Sequence, residues 1–148
     1  MTRITAREIA VITVYEMDYS DSREDLIAER LESAFYERLR GEDELFAAPP
    51  DPKQAEYIRR VTEGVLLHLP ELDAYIDKYA VGWKFSRLAR ISVAIMRVAM
   101  FETLYMSAEV PAAAAINAAV EISKKYETSE TTAFVNGVLG TFVRSEIR

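Results

Sequence analysis

The residues best equipped for binding chemistry are arginines. Residues 78–101 carry Lys78, Lys84, Arg87, Arg90 and Arg97 and no acid. A guanidinium is planar and donates two parallel hydrogen bonds, a geometry that fits phosphate. On a helix turning 100° per residue, Arg87, Arg90 and Arg97 make a stripe beside an apolar face of Leu88, Ile91, Ile95, Val98 and Ala99. The plainer alternative is that these cations pair with acids of the same chain. Glu102 falls in the middle of the apolar face. A buried carboxylate must be paired or protonated. Glu102 therefore reads as a structural acceptor first and as a catalytic acid only second.

Other reactive groups are scarce. The absence of cysteine excludes disulfides, thiolate zinc sites and cysteine nucleophiles. The lone histidine, His68, excludes a multi-histidine metal site and, just before Pro70, reads as a helix-end residue. Asp73 and Asp77 share a helix face but lack further ligands for a metal. None of the glycine-rich phosphate-binding or HExxH patterns occurs. The residues point to a binding protein. A net charge of −6 argues against a uniformly basic nucleic-acid binder. The charge is divided, because residues 16–51 hold 12 acids against 4 bases. An acidic arm and a basic segment can serve two partners, or both can be solvated helix faces.

These groups need helices to position them. The 148 residues suffice for one domain with a real core. Thr5 and Glu8 have capping-box spacing and predict the start of a first helix. A second helix is expected after Ser22, with Ile27, Leu31, Ala34, Phe35 and Leu39 as its stripe. Asp51-Pro52 opens a third, lined by Ile58, Val61, Val65 and Leu69. Pro70 ends it and opens a shorter one, and Val81-Gly82-Trp83 breaks the pattern. Ser86 caps a long central helix over 87–106, Pro111 opens the next, and Ser129 or Thr131 begins the last, with Phe134, Val138, Leu139 and Phe142 facing inward. About seven helices with short connections predict a compact all-α bundle. The loop at 41–52 is the long connection, dividing the domain into candidate subdomains 1–48 and 49–148. No apolar run nears the roughly 20 residues of a membrane span, and the N-terminus lacks a secretory core. A cytoplasmic protein without membrane contact is expected.

More specific text lies in the C-terminal half. Residues 87–105 read RLARISVAIMRVAMFETLY, residues 110–126 read VPAAAAINAAVEISKKY, and residues 134–140 read FVNGVLG. In this order and spacing they resemble the NusB family of bacterial transcription antitermination factors. AREIAVITVYEMDY at 6–19 is similar to that family's first helix. The likeness covers most of the chain and weakens over 20–56.

The resemblance implies an all-α bundle of about seven helices, without catalysis and without a cofactor. It implies binding of boxA-type single-stranded RNA in leader and ribosomal RNA transcripts, together with the small-subunit ribosomal protein NusE. The assembly joins the elongating RNA polymerase as part of the transcription elongation complex. By the same resemblance the RNA surface begins with Arg3 and Arg7, a sparser cluster than many members have. Lys84 and Arg87 extend it, Glu130 matches an often acidic position, and Phe134 matches an aromatic that lies near RNA. Phe134 can stack on an unpaired base or simply pack in the core. Ala133 stands where some members have lysine, and Ala118 where many have glutamate. Tyr15 and Ser92 match positions facing NusE, with Ser92 at a commonly acidic position. Asn117 and Asn136 fit helix-end ties as well as RNA contacts. The thin arginine cluster and the acidic balance leave a second reading open, a NusB-like protein-interaction module with weak or no RNA binding.

Overall fold

The structure, a computed structural model, describes residues 1–147. It contains eight α-helices, two 3-10 turns and no strand among the described residues. The chain forms two compact units, Met1–Leu66 and Leu67–Arg148.

The first unit holds α1 (Arg3–Met17), α2 (Arg23–Glu29), α3 (Ser33–Leu39), a 3-10 turn at Glu44–Phe46 and nearly all of α4 (Pro52–Leu67). Thr2, not Thr5, caps α1: its hydroxyl accepts the Thr5 N–H at 3.1 Å. Ala6, Ile9, Ala10 and Val14 of α1 are buried, as are Ile58, Val61 and Val65 of α4. Asp51 caps α4 by accepting the Gln54 N–H at 2.9 Å. The predicted second helix is two helices, α2 and α3. The buried Tyr36 hydroxyl donates to the Arg30 carbonyl at 2.7 Å. That bond, six residues along the chain, supplies a partner for a carbonyl released where the helix breaks. The loop at 41–51 lies inside this unit.

The second unit holds α5 (Leu69–Tyr79), a 3-10 turn at Phe85–Arg87, α6 (Arg90–Tyr105), α7 (Ala112–Tyr126) and α8 (Ser129–Glu146). α6 packs against α5, α7 and α8 and is buried on all sides from Ser92 to Thr103. A helix enclosed in this way must satisfy its polar groups internally. Thr103 donates to the Met100 carbonyl at 2.9 Å. Among the described residues, no buried side-chain nitrogen or oxygen lacks a partner. The central helix starts at Arg90 rather than Arg87. Arg90 reaches back to the Phe85 and Leu88 carbonyls at 2.7 and 3.1 Å, holding the preceding segment outside the helix. No helix among the described residues is long and apolar enough to cross a membrane.

Candidate nucleic-acid interface

The second unit carries a cleft of about 180 Å³ between the segment after α5 and the first turns of α8. One wall begins at a tight turn. Gly82 has φ +84, a region that glycine enters without a Cβ penalty. The Trp83 N–H closes the turn on the Ala80 carbonyl at 3.1 Å. Trp83 is thereby turned outward and is 59% exposed. Arg87, Leu88 and Ala89 continue this wall.

The other wall is α8. Thr128 caps it, its hydroxyl accepting the Thr131 N–H at 3.2 Å. Glu130, Thr131 and Phe134 then share one face, because residues three and four apart on a helix are neighbours. Phe134 is half-buried and meets Trp83 edge-on, with centroids 5.8 Å apart and planes at 64°. Arg87 and Glu130 are exposed at the cleft, and neither side chain has a hydrogen-bond or ion-pair partner among the described residues. Lys84 is exposed and equally uncommitted, but lies outside the lining. The cleft thus combines apolar rings with one cation and one anion that have no partner among the described residues.

Arg3 and Arg7 belong to the first unit. One turn apart on α1, both lie over the Tyr57 ring, their guanidinium carbons 4.0 and 5.6 Å from its centroid. Arg3 also donates to Gln54 at 2.8 Å. The buried Tyr57 thus lies under two cations on one face of α1. Tyr57 and Gln54 carried no signal in the sequence beyond their spacing on one helix face. Trp83, read there only as a break in the pattern, is the other residue that sequence reasoning missed. The chain's one tryptophan placed directly after a glycine was the available clue.

The remaining candidates are dispersed. Tyr15 is half-buried and tilted against Tyr19, with centroids 5.3 Å apart. Ser92 is 2% exposed and donates to Glu127 at 3.3 Å, so it forms cleft wall rather than open surface. The arginine stripe does not exist as drawn. Arg87 precedes α6, Arg90 is spent on backbone carbonyls, and Arg97 is buried against Asp73 with contacts of 2.7 and 2.9 Å. The last pair also commits Asp73 to a cation of its own chain. Glu102 is fully buried and does not line the cleft, which separates it from any substrate there. His68 stacks on Tyr105 at 4.2 Å where α4 gives way to α5. Asn117 and Asn136 are exposed.

Known proteins give this geometry a context. The sequence matches the NusB family over residues 4–144. It is 34% identical to the transcription antitermination protein NusB of Alkaliphilus oremlandii, over 99% of this chain and 96% of that protein. Identity to the NusB of Thermoanaerobacter sp. strain X514 is 38%, over 99% and 93%. The fold is similar to T. maritima NusB, with a TM-score of 0.82 at 23% identity, covering 100% of this chain and 94% of that one. It is also similar to a chain in a structure of antitermination factors NusB and NusE in complex with dsRNA, with a TM-score of 0.75 at 21% identity and coverage of 97% and 96%. With the match running nearly end to end and the helical fold agreeing, the chain belongs to the NusB family.

Proposed function

We propose that this protein is a transcription antitermination factor. It binds boxA-type RNA together with the ribosomal protein NusE and acts within the complex of the elongating RNA polymerase. The observation that carries the reading is 34% and 38% identity, over nearly the full length, to proteins named transcription antitermination protein NusB. A fold shared with a chain from a NusB, NusE and dsRNA complex agrees with it. The geometry supports it as well, since an exposed tryptophan against a half-buried phenylalanine, beside an arginine without a partner among the described residues, suits single-stranded RNA, which is read by splaying and stacking bases. Arg3, Arg7, Lys84 and Arg87 hold the RNA backbone, while Phe134 and Glu130 face the bases. Tyr15 is assigned to NusE, whereas Ser92, enclosed in the cleft wall, is too buried to face a partner directly. No catalytic step is assigned to the chain, and its place is the cytoplasm, where transcripts are made.

The test is binding of a short boxA RNA at two salt concentrations, with and without NusE. Selective binding is expected, weakened by salt and strengthened by NusE. RNA must then strengthen NusE binding by the same factor, because coupling between two ligands is reciprocal. Replacing Arg3 and Arg7 by glutamine lowers the slope of log K against log salt by about 0.7 for each lost phosphate contact. A folded protein that ignores boxA RNA even with NusE present overturns the reading. Retained NusE binding in that case leaves the protein-interaction module.

A further inference from the structure

We propose that the surface where α5 begins and α6 ends docks an arginine-bearing segment of a protein partner, with the guanidinium on Glu71 and Tyr105 and an apolar neighbour on Leu67. This face shares no residue with those assigned above to RNA and NusE, and the proposal stands independently of both.

Three observations lead to it. First, aromatic and apolar surface is held in the open. His68 stacks on Tyr105, with centroids 4.2 Å apart and planes at 20°. Phe101, buried one turn earlier on α6, backs the two rings at 6.2 and 5.4 Å. Tyr105 nevertheless stays 42% exposed, and Leu67, next to His68 in the chain, is 76% exposed. A lone exposed leucine is ordinary, but an ordered aromatic stack beside one is the kind of anchor that interfaces use.

Second, a carboxylate on this surface is aimed and half used. The Tyr105 hydroxyl donates to Glu71 Oε1 at 2.5 Å, which ties α6 to α5. Glu71 Oε2 has no hydrogen-bond or ion-pair partner among the described residues. The phenol oxygen, its proton given to Glu71, can still accept. Two acceptors thus stand on one hydrogen-bonded pair. A planar guanidinium can donate to both while lying against a ring, whereas an ammonium is a point charge and gains less from that shape.

Third, the surroundings lack cations. Residues 67–77 hold Glu71, Asp73 and Asp77 and no lysine or arginine, and residues 98–123 hold Glu102, Glu109 and Glu121 and again none. The cations that flank these stretches are spent, Lys78 on Glu146 and Arg97 on Asp73. The negative field shows in the phenols. The bond to Glu71, with burial, pushes Tyr105 up to about 12. Tyr75, one turn from Glu71, is raised above 10.0 by burial and then by Glu146 and Glu71. A cationic segment complements this field, and RNA is repelled by it.

The experiment titrates the isotope-labelled full chain with a short peptide alternating leucine and arginine, and follows amide shifts by NMR. Companion peptides carry lysine or glutamate in place of arginine. Shifts are expected to centre on Leu67, His68, Glu71 and Tyr105. The arginine peptide should bind about fivefold more tightly than the lysine peptide of equal charge, and the glutamate peptide should not bind. Glu71→Gln weakens the arginine peptide about fivefold, and Leu67→Ala weakens both cationic peptides about threefold. A thermal melt of each variant checks folding, which the exposure of both side chains favours. Equal binding of the arginine and lysine peptides, with shifts spread over the acids of α2 and α3, reduces the effect to bulk charge and overturns the proposal. Absence of shifts overturns it as well. Shifts of the same residues on adding RNA, or on concentrating the chain alone, give the face to RNA or to a second copy and also overturn it.

Discussion

Arg97 and Glu146 mark two ways in which single charges are settled in this protein. Arg97 is 3% exposed and bonded through two nitrogens to both Asp73 oxygens. Removing Asp73 takes both of these bonds from a buried charge, so Asp73→Ala should cost about 3 kcal/mol in urea unfolding. The exposed pair Arg59–Glu56 is a contrast: Glu56→Gln should change stability by less than about 0.5 kcal/mol. Glu146 sits at the C-terminal end of α8, where a helix dipole disfavours an anion. The Tyr79 hydroxyl and the Lys78 ammonium donate to it and hold its carboxyl below the usual 4.5, while the same carboxylate raises Lys78 above 10.5. A lowered carboxyl adds stability above its unfolded value, and the gain is lost as pH falls through the folded value. The raised lysine adds stability below 10.5 that is lost as pH rises through its folded value. The Tm advantage of the parent over Glu146→Gln should therefore hold at neutral pH, begin to shrink only below 4.5, and vanish once the pH falls past the lowered folded value.

At the scale of elements, apolar spacing identified most helices, while specific side-chain bonds to backbone carbonyls decided several boundaries. Ser22, Pro52 and the region of Ser129 were legible as helix starts because caps act within a few residues. The Thr5/Glu8 pattern was misleading because Thr2 caps α1 first. The division of α2 from α3 depends on Tyr36, and the late start of α6 on Arg90 folding back over its own N-terminal segment. Neither bond has a periodic signature. The turn at Gly82 is the most sensitive connection, because it aims Trp83. A Cβ there would meet nothing within 4 Å, so the cost of Gly82→Ala is backbone strain alone. We expect about 1 kcal/mol of lost stability and a shift in Trp83 emission, read in one fluorescence-monitored melt. Thr128→Ala should cost about 1 kcal/mol by uncapping α8, and it loosens the cleft wall from the opposite side.

At the scale of the whole molecule, a net charge of −6 means that affinity for RNA cannot come from bulk electrostatics. The proposed adaptor should therefore retain boxA RNA and release a scrambled strand at about 0.15 M salt, with a shallow salt dependence, as competition binding can show. The sequence by itself determined the all-α class, the family likeness and the place of Phe134 and Glu130 at a helix start. These rest on periodicity, caps and short motifs, which are properties of neighbouring residues. Tertiary structure alone decided which cations are available. Arg97 and Arg87 look alike on a helical wheel, yet one is buried against Asp73 and the other stands at a cleft without a partner among the described residues. It likewise turned Ser92 into a cleft wall, set Arg3 and Arg7 over Tyr57, and joined Trp83 to Phe134. The physical reason is the same in each case: whether a charge is spent or free, and whether a ring is stacked or open, depends on partners far away in the chain.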